Sequence, residues 1–154
     1  MPAPPRLILA STSIYRRQLL ERLKLPFEVA NPGIAEPHHP GEQPPARSAR
    51  LAAEKAQAVA MSHPHALVIG SDQVAVCRGQ VLDKPGGEAG SWSHLRLLSG
   101  SVAEFYTAVA LAGHRADLAV VQNYRRRRVE ANVAAIDRGP RRQCRVEYAD
   151  VAAR

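Results

Sequence analysis

The sequence predicts an α/β fold. Short, branched apolar runs at Arg6–Ala10, Phe27–Ala30, Ala66–Gly70 and Phe105–Leu111 read as strands. Between them lie longer stretches with helical apolar spacing, at Tyr15–Leu23, Ala46–Met61 and Glu88–Leu98. Polar clusters follow the apolar runs, at the strand ends where α/β sheets gather their sites. With 154 residues, 45% of them hydrophobic, the chain suits one compact domain with a core.

Each element has a local reason. Arg6–Ala10 is a buried strand, Ser11–Ile14 a loop, and Tyr15–Leu23 a helix with Leu19, Leu20 and Leu23 on one face. Leu25-Pro26 ends that helix, because a residue before proline leaves the helical region. Asn31–Pro45 is rich in Pro, Gly and His and reads as a long loop, a kind that often carries function. The alanine-rich helix Ala46–Met61 buries Leu51 and Val59 and stops before Pro64. Ala66–Gly70 is the most strand-like run and is expected at the centre of the sheet. Val74–Cys77 and Gln80–Leu82 flank Arg78-Gly79 as a hairpin. Asp83–Gly87 is a loop, and Glu88–Leu98 is a helix closed by Ser99-Gly100.

Composition excludes several classes. No apolar run is long enough to span a bilayer, so no membrane partner is expected. No basic segment leads into an uninterrupted apolar one, so no signal peptide is expected and a cytoplasmic location is the default. Cys77 and Cys144 make neither a zinc motif nor a disulfide framework. His38, His39, His63 and His65 lie in loops without metal-site spacing. The net charge is +7, of which residues 1–112 carry +2 and residues 113–154 carry +5. The basic character thus belongs mostly to the tail, and a nucleic-acid partner is not expected from it. That tail contains Arg125–Arg128 and one plausible element, a helix near Val129–Ile136; it reads otherwise as a solvated or disordered segment.

Three polar clusters could carry chemistry: Ser11–Arg17, Ser71-Asp72-Gln73 and Asp83-Lys84-Pro85. A loop running into a helix N-terminus offers backbone N–H groups to an anion, and paired arginines add forked donors. Taken alone, the stretch reads better as an ordinary connection capped by Ser13 with the arginines solvated. A carboxylate at the end of a central strand can bind a metal or activate water, and nearby cations can hold phosphate oxygens. For Asp72 alone, a turn residue is as good a reading as a catalytic one. Glu36, Lys55 and Lys84, taken singly, read as surface charges, and Tyr15 as a packed surface aromatic.

The joint pattern is more specific. Leu7-Ile8-Leu9-Ala10-Ser11-Thr12-Ser13, then Arg16-Arg17, Ala53-Glu54-Lys55-Ala56, Gly70-Ser71-Asp72-Gln73-Val74, Lys84-Pro85, Leu98-Ser99-Gly100 and Phe105-Tyr106-Thr107 together resemble the Maf family of nucleotide pyrophosphatases. The match in order and spacing covers about residues 6–112. Ser-Asp-Gln, with an aromatic before the paired arginines, is similar to the 7-methyl-GTP pyrophosphatase branch; the dTTP/UTP branch is the nearer rival.

The resemblance implies a mixed twisted sheet with flanking helices forming a two-lobed cleft, like that of the ITPases. It implies Asp72 as proton acceptor. Ser11, Tyr15, Arg16, Arg17, Lys55, Gln73 and Lys84 would contact a nucleoside triphosphate, Tyr15 and Gln73 at the base. A divalent cation, Mg²⁺ or Mn²⁺, is the implied cofactor, with Glu36 and Asp72 as its ligands, and a homodimer is common. The reaction would release pyrophosphate and a nucleoside monophosphate.

Two departures bear on this. Where members usually show Asp-Glu in the first loop, this chain has Ala35-Glu36. After the Tyr-Thr strand the family continues with further strands, a helix and an Ala-Gly-Ser- or Gly-Gly-Tyr-type segment, which residues 113–154 lack. The sequence therefore divides into a core, 1–112, and a divergent basic tail, 113–154, with the C-terminal part of the fold expected to be truncated. A frameshift near residues 112–125 would account for it. Arg142-Gln143-Cys144-Arg145-Val146 can be encoded CGA-CAG-TGC-CGG-GTC, which one base later reads Asp-Ser-Ala-Gly-Ser. Competing expectations are a catalytically weak nucleotide-binding remnant and nucleic-acid binding through Arg125–Arg128.

Overall fold

The computed structural model describes residues 5–113, 116–129 and 148–150. Its elements are β1 (Arg6–Ala10), α1 (Ile14–Glu21), β2 (Glu28–Ala30), α2 (Pro44–Ser62), β3 (Ala66–Cys77), β4 (Gln80–Leu82), α3 (Glu88–Leu98), β5 (Val102–Gly113), β6 (Ala116–Val129) and β7 (Tyr148–Asp150). The strands form one seven-stranded sheet in the order β2-β1-β3-β5-β6-β7, with β4 paired to β3. Pairing of β1 with β2 and with β3 is parallel, whereas β3–β4 and β6–β7 are antiparallel. The fold is therefore α/β with a mixed sheet, and the strand from Ala66 is interior, as expected.

By contacts the chain divides into two units, Met1–Gln73 with Thr107–Asn123 and Val74–Tyr106 with Tyr124–Arg154. In the first unit the core is made of Ile8, Ala10, Ala52, Ala56, Val59, Ala66, Val68, Ala108, Ala110 and Ala112. Its small side chains let α2 lie close on the sheet. Gly70 is the point of closest approach: a Cβ there would run into the Ala52 carbonyl and stand 2.7 Å from Ala56 N. α2 buries Ser48, Leu51, Ala52, Lys55, Ala56 and Val59, one face at helical spacing. Pro44 and Pro45 occupy its first turn, where a missing N–H costs nothing, so the helix starts two residues before the sequence suggests.

In the second unit, Arg78 (φ 51°) and Gly79 (φ 77°) form the tight turn between β3 and β4. α3 has the predicted bounds and ends at Ser99, followed by Gly100 with φ 65°. Gly100 N donates to Val129 O (3.0 Å) and Val129 N to Ser101 O (2.9 Å), tying the start of β5 to the end of β6.

Three expectations change. Ala66–Gly70 and Val74–Cys77 are one continuous twelve-residue strand, so Asp72 lies inside a strand and not at its end. The first helix, α1, ends at Glu21, two residues before Leu23, and its leucines do not face a core: Leu19 is 62% exposed, Leu23 beyond its end 63%, and no residue of α1 is buried. The segment expected to be an irregular tail contains β6, whose fourteen residues include all four consecutive arginines, and β7. Arginines have modest strand propensity, but β6 pairs along β5 and, at Arg127–Val129, also with β7, and that backbone pairing overrides it. Of the expected helix Val129–Ile136, only Val129 is described, as the last residue of β6; the rest lies outside the described residues.

Candidate active site

The register of β1 with β3 starts the site. Ala10 pairs with Gly70, so the chain leaves β1 at Ser11 beside the stretch of β3 that carries Asp72. Ser11 is buried, and its Oγ accepts from Ser13 N at 3.1 Å. Ser13 caps α1, its Oγ accepting from Arg16 N at 3.4 Å. This compact loop points the first turn of α1 toward β3, and Arg16 Nη2 reaches Asp72 Oδ1 at 4.0 Å.

Alternation along β3 places Ala66, Val68, Gly70 and Asp72 on the face that α2 covers. Because α2 touches the backbone at Gly70, Lys55 is one turn from Ala52 and level with Asp72. Lys55 Nζ donates to Asp72 Oδ1 at 2.7 Å and to Glu36 Oε1 at 2.9 Å. The Lys55 and Asp72 side chains are only 6% and 9% exposed, while Glu36 is 38% exposed. Arg16, Glu36, Lys55 and Asp72 thus form one cluster in the first unit. Both cations lie on the Oδ1 side of Asp72, Lys55 at 2.7 Å and Arg16 at 4.0 Å.

Other expected residues stand apart from that cluster. Arg17 pairs with Glu21 on its own helix at 2.9 Å. Tyr15 is 76% exposed. Gln73, the next residue after Asp72 on the strand, faces the other side of the sheet, where its Oε1 accepts from Thr107 Oγ1 at 3.1 Å. Lys84 is exposed in the loop after β4, in the second unit.

Arg50 is a residue that the sequence reading did not single out. It grips Glu42 with Nε at 2.6 Å and Nη2 at 2.7 Å, and also reaches Glu54 and the Pro37 carbonyl. These bonds fasten the long loop to α2 next to Glu36. Hydrogen bonding to Arg50 holds the Glu42 carboxyl below its ordinary value and raises the guanidinium above its own. The i,i+4 spacing of Arg50 and Glu54 was visible in the sequence; the loop partner was not. In the second unit, Tyr106 and Tyr124 have ring centroids 5.0 Å apart, and both hydroxyls donate to Glu104. Burial first, with the Glu104 charge and hydrogen bond, raises both phenols.

The donor set bears on the implied divalent cation. Among the described residues no three His, Cys, Asp or Glu side chains gather as a metal site. Glu36 and Asp72 supply two carboxylates on one cationic centre, the Lys55 ammonium. One or two carboxylates is what Mg²⁺ takes from a protein when substrate phosphates complete its shell. Two carboxylates thus fit a cation whose remaining ligands come from elsewhere.

The sequence pattern of the Maf-like protein family matches residues 6–138. The chain belongs to the Maf family. Curated Maf relatives named 7-methyl-GTP pyrophosphatase include one from Xanthomonas oryzae pv. oryzae, 54% identical over 123 residues, or 77% of this chain and 65% of the relative. Those from Aromatoleum aromaticum and Bordetella avium are 53% and 52% identical, over 71% and 78% of this chain and 57% and 61% of theirs. This Maf chain thus spans about three fifths of the length of the curated relatives it matches. Among solved structures, it resembles the Staphylococcus aureus Ham1 protein, with TM-score 0.55 and 13% identity over 80% of this chain and 71% of the other. A HAM1 protein from Coxiella burnetii gives TM-score 0.51 and 12% identity over 82% and 73%. At such identities the likeness is one of fold. No helix among the described residues is long and apolar enough to cross a membrane.

Proposed function

We propose that this Maf chain is a nucleoside triphosphate pyrophosphatase, acting on 7-methyl-GTP to release pyrophosphate and 7-methyl-GMP. The observation that carries the reading is a buried carboxylate held between two cations: Asp72 with Lys55 at 2.7 Å and Arg16 at 4.0 Å. The activity for which the relatives are named supplies the substrate.

In this mechanism Asp72 is the proton acceptor. In the free protein Lys55 and Arg16 orient Asp72, and in the reaction its carboxylate takes the proton of a water that attacks the α-phosphorus. The P–O bond to the β-phosphate breaks and pyrophosphate leaves with the bonding pair. Arg16 and Lys55 lie where they can share phosphate charge as it shifts toward the leaving group. Glu36 and Asp72 would hold a divalent cation, Mg²⁺ or Mn²⁺, whose positive charge offsets that same build-up. The exposed face of Tyr15 suits a cationic 7-methylguanine, a contact of about 0.5–2 kcal/mol. Ser11 and Arg17 are proposed as residues of the phosphate-side wall. A homodimer is the proposed assembly.

The test is pyrophosphate release with Mg²⁺ from a panel of canonical and methylated nucleotides, using this chain. Preference for 7-methyl-GTP supports the reading, preference for dTTP or UTP moves the chain to the other branch, and no release from any nucleotide rejects catalysis.

A further inference from the structure

We propose that Lys55 closes the Glu36–Asp72 carboxylate pair to divalent ions in the free protein, so that metal enters only together with its nucleotide. The inference rests on the metal-assisted reading above and adds an order of binding to it.

The ammonium occupies the place a dication would need. Its Nζ stands 2.7 Å from Asp72 Oδ1 and 2.9 Å from Glu36 Oε1, donating to both. Lys55 is anchored there by the buried face of α2, and its side chain is 6% exposed. Arg16 adds a second positive charge 4.0 Å from the same carboxylate oxygen. A lone dication would have to expel the ammonium and face Arg16. It would gain two carboxylates and, among the described residues, no third His, Cys, Asp or Glu. Mg²⁺ gives up its waters reluctantly, and two ligands are a poor return for them.

A nucleotide reverses each term. Its phosphates supply the missing oxygen ligands and offer the Lys55 ammonium a new anion. The carboxylates released by Lys55 can then turn to the incoming cation. The protein thereby avoids a resident metal, and its acceptor carboxylate stays oriented until substrate arrives.

Mn²⁺ uptake by the full chain tests this without turnover, read as loss of the free-Mn²⁺ electron paramagnetic resonance signal and by calorimetry. Wild type is expected to take up no Mn²⁺ at sub-millimolar concentration alone, and one equivalent with a non-hydrolysable 7-methyl-GTP analogue, counted as Mn²⁺ retained with the protein beyond what the same analogue binds in protein-free solution. Lys55→Met should bind Mn²⁺ without nucleotide at least tenfold more tightly than wild type; Lys55→Arg should show no gain, and Lys55→Met with Asp72→Asn should lose it. Tight uptake by free wild type that Asp72→Asn removes would overturn the proposal, as would a folded Lys55→Met with no gain. If Lys55→Met does not fold, the wild-type titrations with and without the analogue decide alone: equal uptake in both overturns it. Failure of the pyrophosphatase reading shows separately, as no pyrophosphate from any nucleotide.

Discussion

Lys55 Nζ donates to Asp72 Oδ1 at 2.7 Å across seventeen residues of sequence, and both side chains are shut off from solvent. Removing one member of a buried pair strands the other charge, at a cost of about 3–5 kcal/mol. Lys55→Met should therefore lower the free energy of unfolding by about that amount, measured by urea denaturation. A loss below about 1 kcal/mol would mean the pair is effectively solvated.

Asp72→Asn keeps an oxygen for Lys55 but removes the proton acceptor. Pyrophosphate release should fall by about 10²–10⁴-fold while the circular dichroism spectrum is retained. Undiminished release would take Asp72 out of the mechanism.

Gly70 sets how close α2 lies. A methyl group there meets Ala56 N at 2.7 Å and Ala56 Cβ at 2.9 Å, and the backbone cannot yield cheaply. Gly70→Ala should destabilise by about 1–3 kcal/mol, as overpacking does, and push Lys55 away from Asp72. Activity should then drop more than stability alone explains, measured well below the melting temperature.

The loop carrying Glu36 should loosen in acid. Arg50 holds Glu42 below its ordinary 4.5 by hydrogen bonding, so folding strengthens the charged form. The stabilisation is complete above pH 4.5 and is lost as pH falls through the lower folded value. Glu42→Gln should flatten the dependence of stability on pH below 4.5; an unchanged slope would show that Glu42 does not contribute.

Much of the fold was legible in the sequence because the signals are local. The Arg78-Gly79 turn and the Ser99-Gly100 stop are set by backbone conformations that few residues adopt, and the buried face of α2 by helical period. The blocks that align the chain with the Maf family are likewise short runs, each of contiguous residues. Where signals compete with pairing across space, the reading failed. Ser71-Asp72-Gln73 looked like a strand end because its side chains are polar, yet backbone bonds continue through it. The arginines of β6 looked like a solvated tail, and two neighbouring strands made them a strand.

By itself, the sequence determined the alternation of strands and helices, the family, and the candidate residues Asp72, Lys55, Glu36 and Arg16. Only the tertiary structure decided which candidates meet. Arg16 turns to Asp72 while its neighbour Arg17 pairs with Glu21, because one helical step is 100° and a single face points at β3. Asp72 and Gln73 part to opposite faces because a strand alternates. Lys55 meets Asp72 because Gly70, lacking a Cβ, lets α2 rest on the strand at that point.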